Sequence, residues 1–203
     1  MGYKILTIFI VVAFIFSGCS ASIKNLDNQG QNIICFGDSI TKGQDAIPNN
    51  SYPEILEKMI KKKITNAGVS GDTTASALKR LESAVLNKNP RLVIVELGGN
   101  DFLRKIPKKT TLKNLEIIIL KIQKTGSAVA ICDISSGFIF SSYRKNFKIL
   151  AKKTGSIFIP SLLEGVLDNP ALKYDHIHPN ASGYNLIAQR IYKEITKYFN
   201  FDK

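Results

Sequence analysis

Five short apolar runs, at residues 33–36, 64–67, 92–97, 128–134 and 156–159, recur along this 203-residue chain and constrain its fold more than any other feature. They are mostly β-branched and show little polar alternation, the pattern of strands buried on both faces. Between them lie stretches with helical periodicity, at 52–62, 74–87, 112–124, 142–152 and 181–199. In the third, Leu115, Ile118, Ile119 and Ile122 form a stripe, and Tyr184, Ile187, Ile191 and Ile195 repeat it in the last. Gly126, directly after Thr125, is a helix stop. This alternation predicts an α/β fold, a three-layer α/β/α sandwich around an open parallel sheet of five strands. Ligands in such folds sit at the carboxyl ends of the strands. The loops beginning at Gly37, Gly68, Gly98, Ser135 and Pro160 are therefore where a site is expected.

The ends of the chain read differently from its body. Residues 1–18 combine a basic start at Lys4, an apolar stretch at 5–16 and the small pair Ser17-Gly18, the pattern of a secretory signal. That stretch is shorter than the roughly 20 residues that span a bilayer. Cys19 follows the small pair, and the segment resembles a bacterial lipoprotein signal, in which the cysteine is lipidated and begins the mature chain. An ordinary signal cleaved nearby or an uncleaved anchor are the alternatives, and all three place the domain outside the cytoplasm. The expected organisation is a signal peptide at 1–18, a polar tether at 19–31 and one domain at 32–203, long enough for a real core. Ser20 after the cysteine suggests outer-membrane sorting in a host with two membranes.

Cys35 and Cys132 each lie inside an apolar run, so two packed core thiols are expected rather than a bridge, which needs Cα atoms within about 7 Å. The net charge is +12, with lysines concentrated at 58–63, 105–113 and 145–153. A basic surface either keeps a chain soluble or favours an anionic membrane or acidic substrate. Nucleic-acid binding is disfavoured, because no basic stretch is interleaved with base-stacking aromatics.

The first strand stops at Gly37-Asp38-Ser39, which places Ser39 at the active end of the sheet with its own N–H facing an anion. A helix-capping serine would look the same. Serine is a weak nucleophile without a base, and the chain has two histidines, both in Asp175-His176-Ile177-His178. Asp175 and His178 stand three apart, so the carboxylate can fold back on the imidazole and fix its tautomer. His176, adjacent to Asp175, diverges from it, which makes His178 the candidate base. His-x-His beside an acid is also a metal pattern, but no third and fourth ligand is evident, so no metal is expected. An oxyanion needs donors: a glycine in Gly68-Val69-Ser70-Gly71-Asp72-Thr73, and the Asn100 amide in Gly98-Gly99-Asn100-Asp101, can supply them.

Gly37-Asp38-Ser39-Ile40, Gly71 within Ser70-Gly71-Asp72-Thr73, Gly98-Gly99-Asn100-Asp101 and Asp175-x-x-His178-Pro179 stand in the order of the four blocks of the SGNH, or GDSL-type, hydrolases. The chain resembles that family from Ile33 to Tyr198. It is most similar to the bacterial thioesterase I, arylesterase and lysophospholipase branch, through Gly99-Asn100-Asp101, Ser51-Tyr52-Pro53-Glu54 and residues 106–119. Ile40 replaces the leucine of the family name, a conservative core change. The resemblance implies a flavodoxin-like sheet with Ser39 as nucleophile, His178 as base and then acid, and Asp175 as its partner. It implies an oxyanion hole of the Ser39 and Gly71 N–H groups and the Asn100 side chain, and no metal or cofactor.

Substrate is less determined. Phe138, Ile139 and Phe140 form an apolar cluster that suits either an acyl pocket or ordinary core packing, with Leu103, Ile106 and Leu162 as further lining candidates. Asp101 is a candidate substrate contact, although both Asp38 and Asp101 are also placed to brace their loops. The expected activity is hydrolysis of lysophospholipid or short-to-medium acyl esters at the cell envelope by a monomer held through a lipid anchor. The alternatives are deacetylation of polysaccharide, disfavoured by the absence of tryptophan, and a non-catalytic surface lipoprotein.

Overall fold

The computed structural model describes residues 22–44, 46, 48, 50–136 and 141–201. The signal segment at 1–18, Cys19 and the cluster of Phe138, Ile139 and Phe140 lie outside the described residues. Five strands, β1 (Asn32–Gly37), β2 (Ile64–Gly68), β3 (Pro90–Glu96), β4 (Ala128–Cys132) and β5 (Ile157–Ile159), form one parallel sheet in the order β2-β1-β3-β4-β5. Cys35 of β1 stands opposite Asn66 on one side and Ile94 on the other. The crossover helices are α2 (Tyr52–Ile60), α3 (Thr74–Ala84), α5 (Lys108–Lys124) and α6 (Ser141–Thr154), and α7 (Ala181–Ile195) closes the chain. Helices α2 and α7 pack together, and α3, α5 and α6 pack in series. With right-handed crossovers, this puts the two groups on opposite faces of the sheet. The predicted sandwich is thus the observed one.

The differences are local and physical. Strand β2 is half-buried with Asn66 exposed, not buried on both faces, because it is the edge of the sheet and has one neighbour. Two short helices, α1 (Ser39–Lys42) and α4 (Gly99–Leu103), occupy the loops after β1 and β3, where four or five residues are too few to show a period. Helix α5 starts at Lys108, after its N-cap Pro107 and four residues before the expected start at 112. Cys35 and Cys132 are both buried and unbridged, and burial pushes the Cys35 thiol up to about 12.

Residues 22–31, read as a tether, are instead fastened to the domain from Lys24 onward. The Lys24 N–H donates to the Gly155 carbonyl at 2.9 Å. The Asn25 amide donates to the carbonyls of Gln123 (2.9 Å) and Ser127 (3.0 Å), and Asn28 reaches Pro90 and Gly126. These carbonyls lie at the amino ends of β3, β4 and β5, so the segment is a strap across the edge opposite the carboxyl-end loops. Ile23 and Leu26 pack against the core. Two side-chain amides, rather than a hydrophobic period, hold this strap, and so it reads as polar linker in sequence.

Asn25→Ala removes both amide bonds and places alanine at a φ of 61°, where asparagine is tolerated better. It should lower the unfolding free energy by about 1–3 kcal/mol in a urea titration. Amide exchange of the carboxyl-end loops should stay unchanged, and a loss spread evenly over both ends would contradict this placement.

Candidate active site

The apolar run of β1 ends at Gly37 because nothing larger fits: a Cβ there would strike the Thr41 hydroxyl and the Glu96 carbonyl. That close approach lets α1 fold back directly onto the strand ends. Asp38 caps α1, its Oδ1 accepting the Ile40 N–H at 3.1 Å, and Gly43 ends the helix at a φ of 84°. Ser39 is the first residue of this helix, at the seam of β1 and β3. In a sheet of this order the connections diverge at that seam, which is the expected ligand crevice.

His178 arrives from the loop before α7. Its Nε2 lies 3.1 Å from the Ser39 Oγ, and its Nδ1 lies 2.7 Å from the Asp175 Oδ2. The other carboxylate oxygen, Oδ1, accepts the backbone N–H groups of Ile177 (2.8 Å) and His178 (2.7 Å). The loop is closed by the Tyr174 N–H donating to the His178 carbonyl at 2.9 Å, and Asn180 caps α7 immediately after it. With Nδ1–H directed at Asp175, Nε2 is left as the acceptor for the Ser39 hydroxyl. Desolvation pushes the Asp175 carboxyl up, but the His178 ring and the two N–H donors outweigh it and lower its pKa to about 2. His176 is exposed and outside this chain of contacts.

The three expected donors are Ser39, Gly71 and Asn100, of which Ser39 and Asn100 line one cleft. Among the described residues, no acceptor takes the backbone N–H of Ser39 or of Gly71. Gly71 has a φ of 79°, a left-handed conformation that glycine adopts without strain. Its loop is pinned by Asp72, which pairs with Arg80 at 2.6 Å, while Arg80 Nη2 donates to the Gly37 carbonyl at 3.0 Å. The third donor is Asn100, on α4. One N–H of its amide goes to Asp38 Oδ2 at 3.0 Å, which leaves the other for a ligand.

Asp101 is corrected by its surroundings. It is fully buried, and its carboxylate accepts the Thr74 N–H at 2.8 Å, the Thr74 hydroxyl and the Thr111 hydroxyl at 3.2 Å. It ties α3, α4 and α5 together and has no surface to offer a substrate. Its alternative reading as a loop brace fits these contacts.

The cleft beside Ser39 encloses about 440 Å³ including its open mouth, and its apolar wall is Ile40, Leu103, Ile134, Leu163, Leu167 and Ile177. Leu103 was among the expected lining residues. Leu162 points into the core instead, and Ile106 is not part of this wall. Leu163 and Leu167 were missed; their spacing of four in the loop after β5 was the available signal. Glu96 also borders the cleft and was missed, though an acid inside the apolar run Val93–Leu97 is conspicuous in sequence. Burial raises the Asp38 pKa to about 6, against the Ile40 N–H, Glu96 and Asn100, which pull it down. Burial, and then the charge of Asp38, drive the Glu96 carboxyl well above the usual range. Two carboxyl groups this buried and this close do not readily ionise together.

Residues 35–186 match the model of the GDSL-like Lipase/Acylhydrolase family. The chain belongs to that family. An arylesterase from Vibrio mimicus is 28% identical over 183 residues, covering 83% of this chain and 90% of the relative. The Thioesterase 1/protease 1/lysophospholipase L1 of Escherichia coli K12 is 28% identical over 178 residues, covering 84% of this chain and 86% of its own. The crystal structure of a psychrotrophic esterase, EstA from Pseudoalteromonas, inhibited by monoethylphosphonate, superposes with a TM-score of 0.73 at 25% identity, covering 83% of this chain and 98% of that one. This GDSL-like acylhydrolase is accordingly a hydrolase acting on esters.

The lowered pKa of Asp175 makes a signed prediction. Its stabilising contribution is complete above the unfolded value near about 3.9 and is lost as pH falls through about 2. The difference in urea midpoint between the native chain and Asp175→Asn should therefore be constant from neutral pH to about pH 4. It should shrink below that. A difference that vanishes already near pH 6 would show that Asp175 is not held in this way.

Proposed function

We propose that this protein is a serine acyl-ester hydrolase in which Ser39, His178 and Asp175 act as a triad. The observation that carries the reading is the unbroken line from Ser39 Oγ through the imidazole to Asp175, at 3.1 and 2.7 Å, with the Asn100 amide lining the same cleft. Ser39 Oγ attacks the acyl carbonyl carbon as its proton passes to His178 Nε2. The carbonyl oxygen becomes an oxyanion facing the N–H groups of Ser39 and Gly71 and the free N–H of Asn100. Asp175 stabilises the imidazolium and keeps its Nε2 turned to the serine. Collapse breaks the ester bond, and the leaving alcohol, or thiol, takes the proton from His178. Water, deprotonated by the same imidazole, then releases the acid from the acyl-serine.

The six aliphatic side chains of the cleft favour an acyl chain over a sugar as the group bound beside Ser39, so short-to-medium acyl esters and lysophospholipids are the proposed substrates. The absence of tryptophan agrees with that choice over polysaccharide deacetylation. Ser39→Ala should reduce hydrolysis of p-nitrophenyl butyrate by at least about 10³-fold and abolish labelling by a fluorophosphonate probe. His178→Ala should do the same and His176→Ala should not. Turnover should rise from acetyl to longer acyl groups. Activity confined to acetyl groups on glycans would overturn the acyl-chain reading, and an unlabelled Ser39 would overturn catalysis altogether.

The same reading places the enzyme at the cell envelope as a monomer, held through lipidated Cys19. The strap adds an orientation to this. Cys19 stands five residues before Lys24, a reach of no more than about 18 Å in extended chain. An anchor there would hold the domain by the amino ends of the strands and turn the cleft away from the anchoring leaflet. Cys19→Ala should move the protein from the membrane to the soluble fraction of cells. Unchanged membrane retention would sink the anchor.

A further inference from the structure

A carboxylic acid is buried directly beneath the catalytic edge, and the triad and its donors do not use it. Glu96 is the last residue of β3 and is 1% exposed. Its Oε2 accepts the Thr41 hydroxyl at 2.8 Å, and the Thr41 oxygen in turn meets the Tyr52 hydroxyl at 2.9 Å. The Asp38 and Glu96 carboxyl groups act directly on each other's ionisation, and both border the cleft. Asp38, itself 3% exposed, then holds the Asn100 amide through Oδ2 and the Ile40 N–H through Oδ1. A line of buried polar groups therefore runs from the helix–sheet interface, Tyr52 to Thr41 to Glu96 by hydrogen bonds, then to the neighbouring Asp38 carboxyl, and ends on the Asn100 amide.

We propose that Glu96 is the positioning residue of the oxyanion hole, fixing the Asp38 carboxylate that aims the Asn100 amide at the reacting carbonyl. Without Glu96, Asp38 would be a buried carboxylate with an unsatisfied face beside the cleft, free to turn and take the amide with it. With Glu96 protonated, the acid can donate to Asp38 while its Oε2 accepts from Thr41. The inner pair thus carries one negative charge, not two, and that charge polarises Asn100 from the side away from substrate. The gain comes in the transition state, because the Asn100 N–H meets full negative charge only there. The titratable groups facing Glu96 are Asp38 from the turn after β1, Cys35 of β1, Tyr52 of α2 and Cys132 of β4, with His178 acting on Asp38 from the loop. None of them is a cation fixed in charge, so proton sharing is what settles the pair.

This inference rests on the serine-hydrolase reading, and Ser39→Ala measured in parallel separates the two. If Ser39→Ala keeps its rate, that reading fails. If Ser39→Ala is inactive but Glu96 variants are normal, only the present proposal fails. Glu96→Ala should lower kcat for p-nitrophenyl butyrate by about 30-fold or more, since misplacing one oxyanion donor costs on the order of 10²-fold, with KM within about threefold. Glu96→Gln should recover most of that loss. A carboxamide can accept from Thr41 through its oxygen and donate to Asp38 through its nitrogen, as the protonated acid does. The glutamine variant also cannot lose the shared proton, so its kcat should hold its plateau further into alkaline pH than the native enzyme's. Should Glu96→Ala not fold, the glutamine variant's rate and pH profile decide alone. A glutamine variant as impaired as a folded alanine variant, an alkaline limb identical to the native one, or a loss seen only in KM would each overturn the proposal.

Discussion

The Asp38 carboxylate, buried at the seam where β1 and β3 end, is the constraint on which the site depends. It caps α1 and so presents Ser39; it binds Asn100 and so seats α4; and it meets Glu96, which belongs to the sheet itself. A carboxylate is costly to bury without partners, and each partner here is a piece of the proposed machinery. Satisfying one charge and assembling the site are therefore the same event. The absence of a side chain at Gly37 makes this geometrically possible, because only then can the Thr41 hydroxyl sit against the strand end.

The parts divide by burial. The donors stand on short helices and turns clamped to the sheet, through Asp38, through the Asp72–Arg80 pair and through the fully buried Asp101. The Asp175–His178 element sits on a surface loop, held by its own backbone N–H groups. An oxyanion hole gains from rigidity, since its dipoles must already be aimed when charge appears. An imidazole must give and take protons and let products leave, which a looser, more exposed loop permits. The His178 ring and the two N–H groups hold the Asp175 carboxyl down at about 2, so it stays charged well into acid.

Much of the fold was legible because its signals are periodic. Five apolar runs and five amphipathic stretches gave the layers and the sheet, and the scarcity of histidine narrowed the base to two positions. What was not legible depends on contacts that leave no period. Helices α1 and α4 are single turns, the strap is held by Asn25 and Asn28 amides, and β2 is half-exposed only because it lies at an edge. Asp101 illustrates a deeper ambiguity: an acid beside a donor asparagine looks like a ligand contact until Thr74 and Thr111 are seen to consume its oxygens. Glu96 is the converse. One acid in an apolar run looks like strand-end noise, and its partner lies 58 positions earlier, at Asp38, whose charge acts on it.

The strap and the cleft lie at opposite ends of the same strands, and this bears on how an anchored enzyme meets its substrate. A lipid attached near the strap would place the rigid thickness of the sheet between the bilayer and Ser39. Esters of the anchoring leaflet would then have to leave it to be hydrolysed. Lysophospholipids can do so, because a single acyl chain gives only marginal, reversible membrane binding, whereas two chains hold far more firmly. On the proposed reading, the aliphatic wall of the cleft would meet that one chain once it has escaped. With a lipid on Cys19, the orientation that turns the cleft from the leaflet would thereby act as a filter, admitting single-chain esters and sparing the bilayer.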